Sequence, residues 1–111
     1  MTPPRIQLLV FEALQANAGA DFVCQLVEAF ADEAPGLVVQ LHRAAAAGDA
    51  AAVETMAHTL KSNGVAFGAA RLSEMAGRLE WQGQAADRAA IDQLAAEVEL
   101  VVPQLRALAH R

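Results

Sequence analysis

One histidine of the chain, His58, sits in the run Ala57-His58-Thr59-Leu60-Lys61-Ser62-Asn63-Gly64, with a lysine three residues on and small residues beyond it. An exposed imidazole titrates near pH about 6.5, so at neutral pH most of it is the neutral, nucleophilic form. Lys61 is one helical turn away, able to reach the same patch of surface and offset negative charge on a phosphoryl oxygen. Ser62 leaves room for a partner's backbone to approach, and Val65 adds apolar contact area to an otherwise polar face. Gly64 and Gly68 keep the far end of this segment low in profile. Glu54, four residues before His58, is placed to orient the ring, although exposed pairs at this spacing are weak and a solvated glutamate is the plainer expectation.

Whether this chemistry is available depends on which way His58 faces. Val53, Met56, Ala57, Leu60 and Gly64 fall within a sector about 100° wide when successive residues turn by about 100°, which is the stripe a helix buries. His58 then lies about 150° from the centre of that stripe, on the outer face. Ser62 is one turn along the same side, and Glu54, Lys61 and Val65 flank it. The helical phase therefore opposes a buried, hydrogen-bonded histidine. An ordinary surface histidine survives the phase argument, and the neighbours of His58 oppose it only in part.

The rest of the chain must hold this helix. A length of 111 residues fits one domain, residues 1–111. Ala and Leu dominate an apolar fraction of 55%, Tyr is absent and there is one Trp, a composition that favours helices over strands. Pro3-Pro4 suits a first helical turn. Ile6, Leu9, Val10, Ala13 and Leu14 recur at helical spacing, which predicts a short helix over about residues 5–17. Asp21 suits a second helix start. Phe22, Leu26, Phe30, Leu37 and Leu41 predict the core stripe of a long second helix, about 20–46, kinked at Pro35. Gly48-Asp49 reads as a stop followed by a start, and a third helix follows over about 49–66. Leu72, Met75, Ala76 and Leu79 mark a fourth, about 70–83, and Ile91, Leu94, Val98, Val101, Leu105 and Leu108 a fifth, about 87–109, bent at Pro103. Short connections imply antiparallel neighbours, so the expected architecture is all-α: an antiparallel four-helix bundle with a short additional N-terminal helix across one end. Trp81 is expected to cover part of an end of the bundle.

Composition also narrows partners and compartment. A net charge of −5 opposes nucleic-acid binding, which needs clustered Lys and Arg. No apolar run approaches the roughly 18 residues of a membrane span, and Met-Thr-Pro-Pro-Arg is no signal-peptide pattern. Cys24 is the one cysteine, which leaves no internal disulfide and suits a reducing compartment; it is expected as a small core residue. A cytoplasmic, monomeric domain is the expectation.

The residues from Ala57 to Gly64, followed by Phe67-Gly68-Ala69, Leu72 and Leu79-Glu80, resemble the histidine-containing phosphotransfer (HPt) domain of bacterial two-component phosphorelays. The resemblance extends upstream through Phe30-Ala31-Asp32-Glu33-Ala34-Pro35, Leu41 and Gly48-Asp49, from about Asp21 to about Glu80. Ser62 stands where the commonest form of the family has glycine, so a small residue is kept. The resemblance implies that His58 is the phosphoacceptor, through its outward Nε2, and that Lys61 neutralises phosphoryl charge. Ser62, Val65, Glu54 and Gly64 are the expected partner-docking residues. It implies as partners response-regulator receiver domains and a sensor histidine kinase, hybrid or not. The chain would be a phosphocarrier without autonomous catalysis, with no cofactor of its own and Mg²⁺ in the partner receiver.

Other readings are weaker. Di-iron bundles use Glu-x-x-His pairs, whereas Glu54 is four residues from His58 and no second pair exists, so no metal site is expected. His42 reads as a surface residue near a helix C-terminus, where positive charge is welcome, and His110 belongs to a fraying end. There is no nucleophile elbow, Gly-rich phosphate loop or paired-acid motif for hydrolysis. The substantive alternative is a helical-bundle interaction module that binds a receiver, kinase or enzyme without carrying phosphate.

Overall fold

Glycines with positive φ and two aspartate caps divide the chain. The computed structural model describes residues 4–111; Pro3, placed by the sequence in a first helical turn, lies outside the described residues. Among the described residues there are five α-helices, one short 3₁₀ turn and no strand: α1 Leu8–Ala18, α2 Ala20–Ala46, α3 Ala50–Phe67, α4 Ala70–Gln82 and α5 Arg88–Ala109. Gly19, with φ of 93°, separates α1 from α2. Gly48, with φ of 71°, ends α2, and the Asp49 carboxylate then accepts from the Ala52 N–H at 3.1 Å and starts α3. Gly68, with φ of 77°, ends α3, where the Ala69 N–H reaches back to the Gly64 carbonyl at 2.8 Å. Asp87 caps α5 through the Ala90 N–H at 2.7 Å. Both α2 and α5 run on through their internal prolines, Pro35 and Pro103, which are solvent-exposed.

All five helices close on one apolar core in which Leu41, Leu60, Leu72, Leu79, Ile91 and Leu94 are essentially inaccessible to water. The rings of Phe30 and Phe67 lie 5.6 Å apart at 58°, a tilted contact between α2 and α3. Along α2 and α5, the Cys24 thiol meets the Ala109 carbonyl at 3.0 Å, Glu28 pairs with Arg106 at 2.8 Å and His42 with Asp92 at 3.2 Å. The segment before α1 is pinned to the α3–α4 corner by the Gln7 N–H, which donates to the Gly68 carbonyl at 2.8 Å. No described helix is long and apolar enough to cross a membrane.

Two core stripes differ from those expected. In α1 the buried residue is Phe11, while Leu9 is 83% exposed and Val10, packed over Gly68, is only partly covered. This helix is apolar on nearly every side, so its periodicity does not choose a face. In α2, Phe22 is half exposed and Val23 is buried in its place. The two differ in phase: Val23 is seven residues from the buried Phe30, a drift of about 20°, whereas Phe22 is eight away, a drift of about 80°. Apolar residues stand at both 22 and 23, so the larger one masks the one in phase. Glu97 is buried on α5, where Arg5 meets it at 2.8 Å and Arg71 at 3.7 Å.

Candidate functional site

The site rests on the contact between α3 and α4. Gly64 makes that contact close: a Cβ there would stand 2.9 Å from the Ser73 backbone nitrogen. With the helices this near, side chains one and two turns back along α3 face those near the end of α4. His58 projects from α3 with 61% of its side chain exposed. Its Nδ1 lies 3.0 Å from Oε1 of Glu80 on α4. The other carboxylate oxygen, Oε2, is 2.8 Å from the Lys61 ammonium. That oxygen is closed to solvent and meets no other donor among the described residues, so the ammonium is its compensation. The Lys61 stem reaches it across Gly77, where an added Cβ would come within 3.3 Å of the lysine Cδ.

Charge and hydrogen bonding agree at Glu80. The Lys61 ammonium, and after it the His58 ring, hold the Glu80 carboxyl below the usual glutamate range, against a smaller opposing effect of burial. Glu80 is therefore ionised at neutral pH. An ionised carboxylate only accepts hydrogen bonds, so Nδ1 of His58 carries the proton and donates. In the Nδ1–H tautomer the remaining ring nitrogen, Nε2, points its lone pair away from Glu80. Thr55 and Thr59 do not compete for the ring, because their hydroxyls donate back to the Ala51 and Thr55 carbonyls at 2.9 and 3.1 Å. This arrangement presents an imidazole nitrogen beside a localised cation, which suits attack on an electrophile that carries negative charge.

The structure brings His58 and Lys61 together through a residue to which the sequence assigned no role. Glu80 lies 22 positions from His58 on a different helix, so no local spacing connects them. Ser62 and Val65 are exposed on the same helix, Val65 by 63%. Glu54 is exposed, and among the described residues the ring's hydrogen-bond partner is Glu80 instead; the Glu54 carboxylate lies over Gly83, where an added Cβ would be 3.0 Å from Oε1. Gly64 must be corrected. It is buried against α4 and offers no surface to a partner, because its lack of a side chain is used inside the molecule. Trp81 must be corrected too: it covers no end of the bundle and is 89% exposed beside Glu80. Elsewhere, His42 is half-buried against Asp92, and the described residues contain no cluster of three His, Cys, Asp or Glu side chains that could hold a metal.

No curated protein and no solved structure matches the chain significantly. The family model described as Hpt domain matches residues 25–107, well over half of the chain.

Proposed function

The chain belongs to the histidine-containing phosphotransfer (Hpt) domain family, and from that premise we propose that it carries a phosphoryl group on His58 between the aspartates of receiver domains, or from a kinase to a receiver. Hpt domains serve two-component signalling as phosphocarriers that meet receiver domains and kinases. The observation that carries the assignment to His58 is its 3.0 Å contact with Glu80, which leaves Nε2 facing solvent.

In this reading the Nε2 lone pair attacks the phosphorus of a receiver's aspartyl phosphate. The bond from phosphorus to the acyl oxygen breaks, the aspartate leaves as a carboxylate, and an N–P bond forms at Nε2. The Nδ1 proton stays in place throughout. The positive charge that develops on the ring is offset by the Glu80 carboxylate, and Lys61 offsets charge on the phosphoryl oxygens. Glu80 positions the ring and the ammonium, which restricts both before the partner arrives. Return of the phosphoryl group to a second aspartate is the reverse sequence. The chain supplies no cofactor; Mg²⁺ belongs to the receiver and the chemistry it provides is charge neutralisation there. Ser62 and Val65 form the rest of the docking face. We read α2 to α5 as an antiparallel four-helix bundle, which the succession Cys24–Ala109, Glu28–Arg106, His42–Asp92 supports, as does the pairing of His58 with Glu80 and of Gly64 with Ser73. The domain acts as a monomer in the cytoplasm.

Incubation with a phosphorylated receiver tests the proposal. The expected result is acid-labile, base-stable phosphate on the wild type and none on His58→Gln. Equal label on the variant would defeat the assignment, and binding without label on either would favour the interaction module.

A further inference from the structure

Beside His58, between α3 and α4, lies an open hollow of about 480 Å³ lined by Glu54, Lys61, Gly77, Glu80 and Trp81. Its charges are not evenly spent. Lys61 and Glu80 neutralise each other at 2.8 Å, whereas Glu54 has no ion pair among the described residues. The Glu54 carboxylate sits over Gly83, directly beyond the C-terminal end of α4, whose last turn contains no basic residue. The partial negative charge of that helix end therefore adds to the carboxylate. Trp81 forms the wall of the same hollow with its indole 89% exposed. An exposed tryptophan face attracts a cation through its ring quadrupole. Aromatic face, unpaired carboxylate and helix C-terminus all favour one kind of visitor, a positively charged side chain.

We propose that Trp81 and Glu54 form a receptor for a lysine or arginine side chain of the receiver that exchanges phosphate with His58, and so help select which receiver docks. The inference rests on the phosphotransfer reading. Glu80 touches His58 on one side and lines the hollow with Trp81 on the other, so Trp81 borders the surface approached by a partner that brings an aspartate to Nε2. The indole supplies area and cation attraction, and Glu54 supplies direction.

The test uses a panel of purified receiver domains charged with acetyl phosphate and Mg²⁺, with transfer followed against receiver concentration. For the preferred receiver, Trp81→Ala should raise the half-saturating concentration about tenfold, as for truncation of an interface tryptophan, with the maximal rate unchanged. Trp81→Phe should recover most of the loss. Glu54→Gln should raise it about threefold and flatten its salt dependence. Because Trp81 is the sole tryptophan, its emission should shift when that receiver binds. Half-saturation unchanged in Trp81→Ala, a loss confined to the maximal rate, or an unshifted emission would overturn the receptor while leaving phosphotransfer intact. A wild-type chain that takes phosphate from no receiver would overturn both. Circular dichroism of each variant separates these outcomes from loss of fold.

Discussion

Lys61 and Glu80 restrain each other, and His58 depends on both. Removing the Lys61 ammonium leaves Oε2 of Glu80 shielded from water without a donor, yet the site lies at the surface and the core beneath it is untouched. Lys61→Ala should therefore keep the fold and its thermal midpoint close to wild type while slowing phosphoryl transfer roughly tenfold to a hundredfold, as loss of a charge-stabilising donor does. An unfolded variant, or one that transfers at the wild-type rate, would contradict the placement. The same pair governs the pH response. Because the Glu80 carboxyl is held below its ordinary range in the folded chain, its contribution to stability is complete above the unfolded value of about 4.3 and is lost as pH falls through the lower folded value. A carboxyl-carbon NMR titration should place Glu80 below that reference, and Lys61→Ala should bring it back up. A Glu80 that titrates normally in the wild type would show that the contact does not persist in solution.

At the scale of the helix, small residues decide how α3 meets α4. Gly64→Ala would push a Cβ to 2.9 Å from the Ser73 backbone nitrogen, which cannot swing aside as a flexible side chain can. The expected cost is about 1–3 kcal/mol in urea unfolding. Gly36→Ala is the matched contrast: nothing lies within 4 Å of its added methyl and the residue is inside α2, so a gain of about 0.5–1 kcal/mol is expected. Equal effects at the two positions would mean that the α3–α4 approach is looser than described. Leu60→Ala should cost about 2–5 kcal/mol, since Leu60 is wholly buried one turn inside the functional face. The outward direction of His58 was readable in advance because one unbroken helix carries both it and its buried stripe. The role of Glu80 was not readable, because periodicity along α3 says nothing about which residue of α4 stands opposite. The same limit explains Gly64: its small size was visible, but whether the space served a partner or a neighbouring helix depends on the packing. Phe22 and Leu9 misled for a different reason, since apolar residues at adjacent positions offer two phases and only the surrounding helices choose.

Across the whole molecule, Glu97 ties three separated parts of the chain. It is buried at 3% exposure on α5 and meets Arg5, ahead of α1, and Arg71, at the start of α4. Nothing in the α5 pattern marks it, because an acid in a core phase looks like an interruption until its distant partners are known. Glu97→Ala should cost about 2–3 kcal/mol, less than the roughly 3–5 kcal/mol of a fully buried pair, because Arg5 keeps some access to water. Transfer to His58 should persist in the folded fraction, since Glu97 lies away from Glu80 and Lys61. In the proposed function the bundle is a frame whose remote ties serve stability, and the α3–α4 seam is the part expected to govern transfer. The most direct measurement is nitrogen–phosphorus coupling by NMR on chain labelled with ¹⁵N at histidine and charged by a phosphorylated receiver. Phosphorus bonded to Nε2 of His58, with the proton retained on Nδ1, is the expected spectrum; phosphorus on Nδ1, or on any other residue, would contradict it.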